Sequence, residues 1–137
     1  MGNTSTTLMA FDYGTKNIGV AVGQTITQTA EPLTVIRQSN GHLDWAAIEK
    51  LIGEWRPEKI IIGFPATDDG KRIAIHDAIE RFAGDLKSRF ALPIAYCDER
   101  LSSFEAAQLS DESRHELDAI AAQLILQTWL SINSDST

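Results

Sequence analysis

The sequence predicts an α/β domain on a mixed five-stranded sheet, the first three strands antiparallel and the rest parallel, with helices on both faces. Three observations predict it. Two short apolar runs flank a Gly-containing turn near the start, the pattern of a hairpin. Apolar residues later recur twice at helical spacing, and each such stretch precedes a short apolar strand. A hairpin continued by β-α-β units gives a mixed sheet covered by helices.

Residues 8–11 open the first strand, which carries Asp12 near its end. Residues 14–16 read as a tight turn, with Gly14 supplying positive φ. Residues 18–22 return as the second strand, and residues 33–36 form the third after a break at Pro32. A loop at 38–42 contains Asn40-Gly41. Asp44 N-caps a helix whose apolar positions are Trp45, Ile48, Leu51, Ile52 and Trp55, and Pro57 ends it. The nearly continuous apolar run at 59–63 predicts a central parallel strand. A polar loop at 64–71 turns at Asp69-Gly70. Ile75, Ile79, Phe82, Leu86 and Phe90 mark a second long helix, and residues 92–97 a fifth strand. Ser102 and Glu105 form a capping box that starts a short helix. Residues 110–114 read as a mostly acidic linker and 116–130 as the last helix. The expectation is one domain over 1–137, with polar tails at about 1–6 and 131–137.

The 137 residues carry 12 Lys plus Arg against 19 Asp plus Glu, a net charge of −7. That balance argues against a protein that coats DNA or RNA non-specifically, which needs surplus cations. A nucleic-acid enzyme remains compatible, because a carboxylate site adds negative charge. Cys97 is the single cysteine, so neither an internal disulfide nor a cysteine metal site forms, and the chain reads as cytoplasmic. No apolar run approaches the roughly 20 residues of a membrane span, and the start lacks the signal-peptide pattern. The lipidation pattern at 1–6 and the sequon Asn3-Thr4-Ser5 read as chance matches in a polar tail.

Three acids stand in apolar surroundings. Asp12 ends an apolar strand, where Asp is depleted and costly to bury without a partner; its plainer role is a turn cap for Gly14 and Thr15. Glu99 follows the fifth strand, at the end where open α/β sheets bind ligands; its plainer role is a loop charge paired with Arg100. Asp118 shares a helical stripe with Ala122, Ile125 and Trp129, and Ala121 and Ala122 would let that helix approach the sheet closely. Its plainer role is an acid in the first helical turn, favoured by the macrodipole.

Together the acids suggest carboxylates around a hard cation such as Mg²⁺, with Mn²⁺ as the alternative. Lys16 and Arg100, with Thr15, are candidate contacts to substrate phosphate, or else neutralise the neighbouring acids. His42, His76 and His115 lack metal-ligand spacing and are expected on the surface or in minor polar contacts. The three tryptophans and Cys97 are assigned to packing.

Residues 10–16 (Ala-Phe-Asp-Tyr-Gly-Thr-Lys) with Ile18-Gly19-Val20-Ala21 closely resemble the opening of the YqgF/RuvX family. Gly63-Phe64-Pro65 with Asp69-Gly70, Asp98-Glu99-Arg100-Leu101-Ser102 and Asp118-Ala119-Ile120-Ala121-Ala122 resemble its later blocks, in order. The resemblance implies a ribonuclease-H-like fold related to the Holliday-junction resolvase RuvC. It implies a bacterial cytoplasmic nuclease that processes the 5′ end of pre-16S ribosomal RNA, in which Asp12, Glu99 and Asp118 are the catalytic, metal-binding acids. Two metals would activate water against a phosphodiester, leaving 5′-phosphate and 3′-hydroxyl ends. Family members usually carry a longer, basic segment where this chain has the short, net acidic residues 110–116, a departure that bears on substrate grip.

Two other readings stay open. One is a Holliday-junction-type DNA nuclease, which must cut two strands symmetrically and so be a homodimer rather than a monomer. The other is a non-catalytic module that binds the ribosome or the transcription machinery, a reading the acidic segment favours. Asp12-Tyr13-Gly14-Thr15 also resembles the phosphate loop of actin-like ATPases, but those close two related domains around ATP and this chain has room for one.

Overall fold

The computed structural model describes residues 6–39, 42–65, 73–98 and 114–132. The expected turns at Asn40-Gly41 and Asp69-Gly70, Glu99, Arg100, the capping box at Ser102 and Glu105, and residues 110–113 lie outside the described residues. The elements run β1 (Thr7–Tyr13), β2 (Asn17–Gln24), β3 (Thr29–Ser39), β4 (His42–Leu43), α1 (Trp45–Trp55), β5 (Lys59–Phe64), α2 (Ala74–Phe90), β6 (Ile94–Asp98) and α3 (Arg114–Ile132).

The sheet has the order β4-β3-β2-β1-β5-β6. The β1–β2, β2–β3 and β3–β4 pairs are antiparallel, whereas β5 is parallel to both β1 and β6. The mixed topology is therefore the expected one, with a sixth strand added. β4 falls where the sequence reads as loop, because its two residues pair only with Gln38 and Ser39, a ladder too short to leave a period-2 pattern.

β3 also runs straight through Pro32 instead of starting after it. Within the described residues, β3 has a second neighbour only at Gln38 and Ser39, so the missing N–H of Pro32 falls on an edge. A register irregularity opposite Val20 and Ala21 takes up the extra residue. α3 begins at Arg114, two residues before the expected start, and continues to Ile132.

Side-chain alternation divides the core into two layers. Met9, Phe11, Ile18, Val20, Ile60 and Ile62 point to one face and pack with Ile48 of α1 and Ile79, Phe82 and Leu86 of α2. Leu8, Ala10, Ile61 and Cys97 point to the other and pack under Ile125, Leu126 and Leu130 of α3. Phe82 centres the first layer, its ring meeting Phe11 edge-on at 5.5 Å and Tyr13 at 5.1 Å. β5 is buried on both faces, which is why its run of isoleucines does not alternate with polar residues.

Helix ends follow local chemistry. Asp44 Oδ1 accepts from the Ala47 amide at 3.1 Å, the expected N-cap of α1. The helix closes with Arg56 in the left-handed region, its N–H donating to Ile52, one residue before Pro57. Trp55, expected in the core, is the last residue of α1 and is 38% exposed. Trp45 and Trp129 are half-buried; Arg89 stacks over the first at 4.2 Å and Lys59 over the second at 4.9 Å.

Gly53 of α1 and Gly84 of α2 are helical, exposed and surrounded by open space where a Cβ would go. Gly53→Ala and Gly84→Ala are each expected to raise stability by about 0.5–1 kcal/mol, since Ala restricts the unfolded chain and meets nothing in the fold. Urea denaturation of the two variants checks this.

Candidate active site

The carboxyl ends of the parallel strands β1, β5 and β6 share one edge of the sheet. Asp12 stands there, the second-last residue of β1, half-buried. Leu8 and Ala10 point toward α3, so alternation puts Asp12 on the α3 side as well. Its partner across the β1–β2 ladder is Gly19.

Gly19 is where α3 lands. A Cβ built on Gly19 would lie 1.7 Å from the carbonyl oxygen of Asp118 and 2.9 Å from the Ala119 nitrogen. Only a hydrogen fits, so the helix backbone rests directly on β2, one strand from Asp12 and about 5 Å across the pair. Ala119 and Ala122 are buried beside this contact, and Asp118 is half-buried. The stripe Asp118, Ala122, Ile125 and Trp129 borders the sheet-facing side of α3, with Ala122 and Ile125 buried and Asp118 and Trp129 half-buried. Two acids expected from the sequence are in this way brought to one face of one sheet edge.

Thr15 and Lys16 lie in the β1–β2 connection just beyond Asp12, and both are exposed. Glu99 and Arg100 lie outside the described residues; β6 ends at Asp98, level with Phe64 of β5. Among the described residues no group of three or more His, Cys, Asp or Glu side chains could hold a metal ion. Asp12 and Asp118 offer oxygen donors only, with no imidazole or thiolate in the pair, a chemistry that suits Mg²⁺ or Mn²⁺ rather than zinc. A groove of about 390 Å³ between β3 and α1, lined by Leu33, Ile36, Leu51 and Trp55, opens on the opposite layer, away from the acids.

Sequence reasoning missed two residues at this edge. Gly19 was read only as part of a strand, although a glycine inside a strand can mark a close backbone approach. His76 was expected on the surface or in a minor contact. It is only 5% exposed, because it stacks flat on Phe64 at 4.5 Å and bonds at both ring nitrogens. Nδ1 accepts from the Ile73 amide at 3.2 Å, so Nε2 carries the proton and donates to the Pro65 carbonyl. From position N3 of α2 it supplies the reach-back bond that Glu or Gln makes in a capping box, and it ties the helix start to the end of β5. Nothing in a lone histidine at helical spacing signals this. His76→Ala is expected to cost about 1–3 kcal/mol, and His76→Gln less, since Gln keeps the reach-back acceptor; chemical denaturation of both measures it.

Tyr96, on the far side of Phe64, is 44% exposed. Partial burial, and secondarily the charge of Glu80, raise its hydroxyl above the usual 10.0, so it is protonated at neutral pH.

A family model described as RuvX, Holliday junction resolvase, matches residues 6–132. A Pseudomonas putida protein named "Putative pre-16S rRNA nuclease" is 45% identical over 135 residues, covering 93% of this chain and 96% of the relative. An Azotobacter vinelandii protein of the same name is 44% identical over 131 residues, covering 90% and 92%. Among solved structures, Thermus thermophilus RuvC in complex with Holliday junction substrate superposes with a TM-score of 0.59 at 13% identity, over 96% of this chain and 97% of that one. That likeness shows the ribonuclease-H-like fold.

Proposed function

Since the chain belongs to the RuvX family of phosphodiester-hydrolysing nucleases, we propose that it is a divalent-metal-dependent ribonuclease that processes the 5′ end of precursor 16S ribosomal RNA in the cytoplasm. The names of its relatives support the substrate. The observation that carries the chemistry is the seating of α3 on Gly19, which puts Asp118 one strand from Asp12 on a shared face.

In this reading Asp12, Asp118 and Glu99 hold the cation, Mg²⁺ or Mn²⁺. When bound, the metal supplies charge neutralisation at the phosphate and a more acidic water. The protein's part is placement. Asp12 is carried by a strand paired on both sides, and Asp118 by a helix whose backbone rests directly on Gly19. Lys16 and Thr15 from the turn, with Arg100, hold the flanking phosphates. Water oxygen adds to phosphorus, the bond to the 3′ oxygen breaks, and that oxygen takes up a proton, leaving 5′-phosphate and 3′-hydroxyl ends.

The test is cleavage of labelled RNA spanning the 5′ end of the precursor, with Mg²⁺, with Mn²⁺ and with EDTA, beside a four-way DNA junction. Metal-dependent cutting of the RNA is the expected result, and EDTA abolishes it. The family description favours a second reading, junction resolution by a homodimer; cutting of the junction alone would establish that instead. No cutting of either substrate by folded protein in excess would overturn both and leave a nucleic-acid or ribosome-binding module.

A further inference from the structure

The turn that carries Thr15 and Lys16 is bonded by Gln38 of β3. Gln38 reaches it twice: its backbone N–H donates to the Lys16 carbonyl at 2.8 Å, and its side-chain Nε2 donates to the Gly14 carbonyl at 2.7 Å. The two bonds bracket Thr15 from both sides. Gly14 serves the turn by its lack of a side chain rather than by the positive φ expected of it, since a Cβ there would come within 2.6 Å of the Asn17 carbonyl oxygen. Thr15 and Lys16 are exposed, whereas Gln38 is half-buried behind them. A flexible lysine on an unsupported turn would lose much of its binding energy to ordering, and a turn fixed at both carbonyls removes part of that cost.

We propose that Gln38 is a positioning residue, which holds the Gly14–Lys16 turn so that Lys16 meets a phosphate of a single-stranded nucleic acid entering beside Asp12. The role rests on the nuclease reading above and adds to it how the substrate is gripped. Gln38 acts through the turn and touches no reacting atom. Its side-chain amide is the replaceable part, because the backbone N–H that donates to Lys16 is kept by every residue except proline.

The experiment measures binding of a fluorescent single-stranded RNA oligonucleotide in EDTA, where no cutting interferes. It uses the wild type, Gln38→Met, Lys16→Ala and the double variant. Met matches Gln in length and removes the donor without adding charge. Gln38→Met is expected to weaken binding about three- to tenfold, within the effect of Lys16→Ala, and to add nothing on the Lys16→Ala background. The slope of log affinity against log salt is expected to fall by about one-half to one in all three variants. Thermal melting confirms that each variant is folded. A second readout is trypsin cleavage after Lys16, expected to speed up in Gln38→Met while other sites are unchanged.

Wild-type affinity in Gln38→Met, or a loss that simply adds to that of Lys16→Ala, would overturn the role and leave the nuclease reading intact. Failure of the wild type to bind the oligonucleotide both in EDTA and on addition of Ca²⁺ would overturn the substrate reading and this role with it. Faster trypsin cleavage with unaltered binding would show a turn that is held for stability only, and would also overturn the role.

Discussion

Asp12→Asn is expected to leave the protein folded and to lower the RNA cleavage rate by at least about 10³-fold, equivalent to ~4 kcal/mol of transition-state stabilisation. Asn matches Asp in shape, so β1 keeps its pairing to β2 and β5. What disappears is the negative charge at the carboxyl end of the strand, where a cation must be held against a phosphate. Asp118→Asn is expected to act in the same direction. The double variant should be no slower than the worse single one, because acids that hold one metal site act as a unit. Cleavage rates at saturating Mg²⁺, with melting curves for each variant, check this. Unimpaired cutting by Asp12→Asn would remove the acid from the mechanism.

Among Gly14, Gly19, Gly23, Gly53 and Gly84, Gly19 is where an added methyl group is expected to do the most damage. The new Cβ would sit 1.7 Å from a backbone oxygen of α3, and no rotamer change relieves a clash with backbone. α3 would have to retreat by more than about 1 Å. That opens the layer formed by Leu8, Ala10, Ile61, Ile125, Leu126 and Leu130. A loss of about 3 kcal/mol or more follows from overpacking plus the gap left behind. Cleavage should fail even at temperatures where the variant remains folded, since the displaced segment begins at Asp118. Gly53→Ala, with nothing near it, is the control for a glycine-to-alanine change in the same protein. Circular dichroism melting and cleavage of Gly19→Ala at low temperature separate the two effects.

Much of this architecture is legible in the sequence because burial imposes a period. The isoleucines of β5 and the spaced apolar residues of α1 and α2 announce a covered strand and two one-sided helices. Asp44 announces its cap by type and position. Asp12 and Asp118 stand out because a carboxylate among apolar neighbours is costly. What the sequence hid was set by tertiary neighbours. Pro32 reads as a break, yet lies inside β3 because the far side of the strand has no ladder partner there among the described residues. β4 exists only by pairing with two residues. His76 and Gln38 look like ordinary polar side chains, and their partners are carbonyls and amides, which carry no sequence signature. Lys16 and Thr15 were singled out, but the support for their turn comes from another strand more than twenty positions on.

The contact between Asp118 and Gly19 joins residues about a hundred positions apart, with α3 following every other described element. On a ribosome adding roughly 5–20 residues each second, the hairpin of β1 and β2 emerges several seconds before the helix that completes the acid pair. The nascent chain therefore carries Asp12 through about a hundred further residues before Asp118 is added. Closing so long a loop is also among the slower steps in folding. On the mechanism proposed above, cutting waits for α3 to dock on β2, a delay written into the order of the elements.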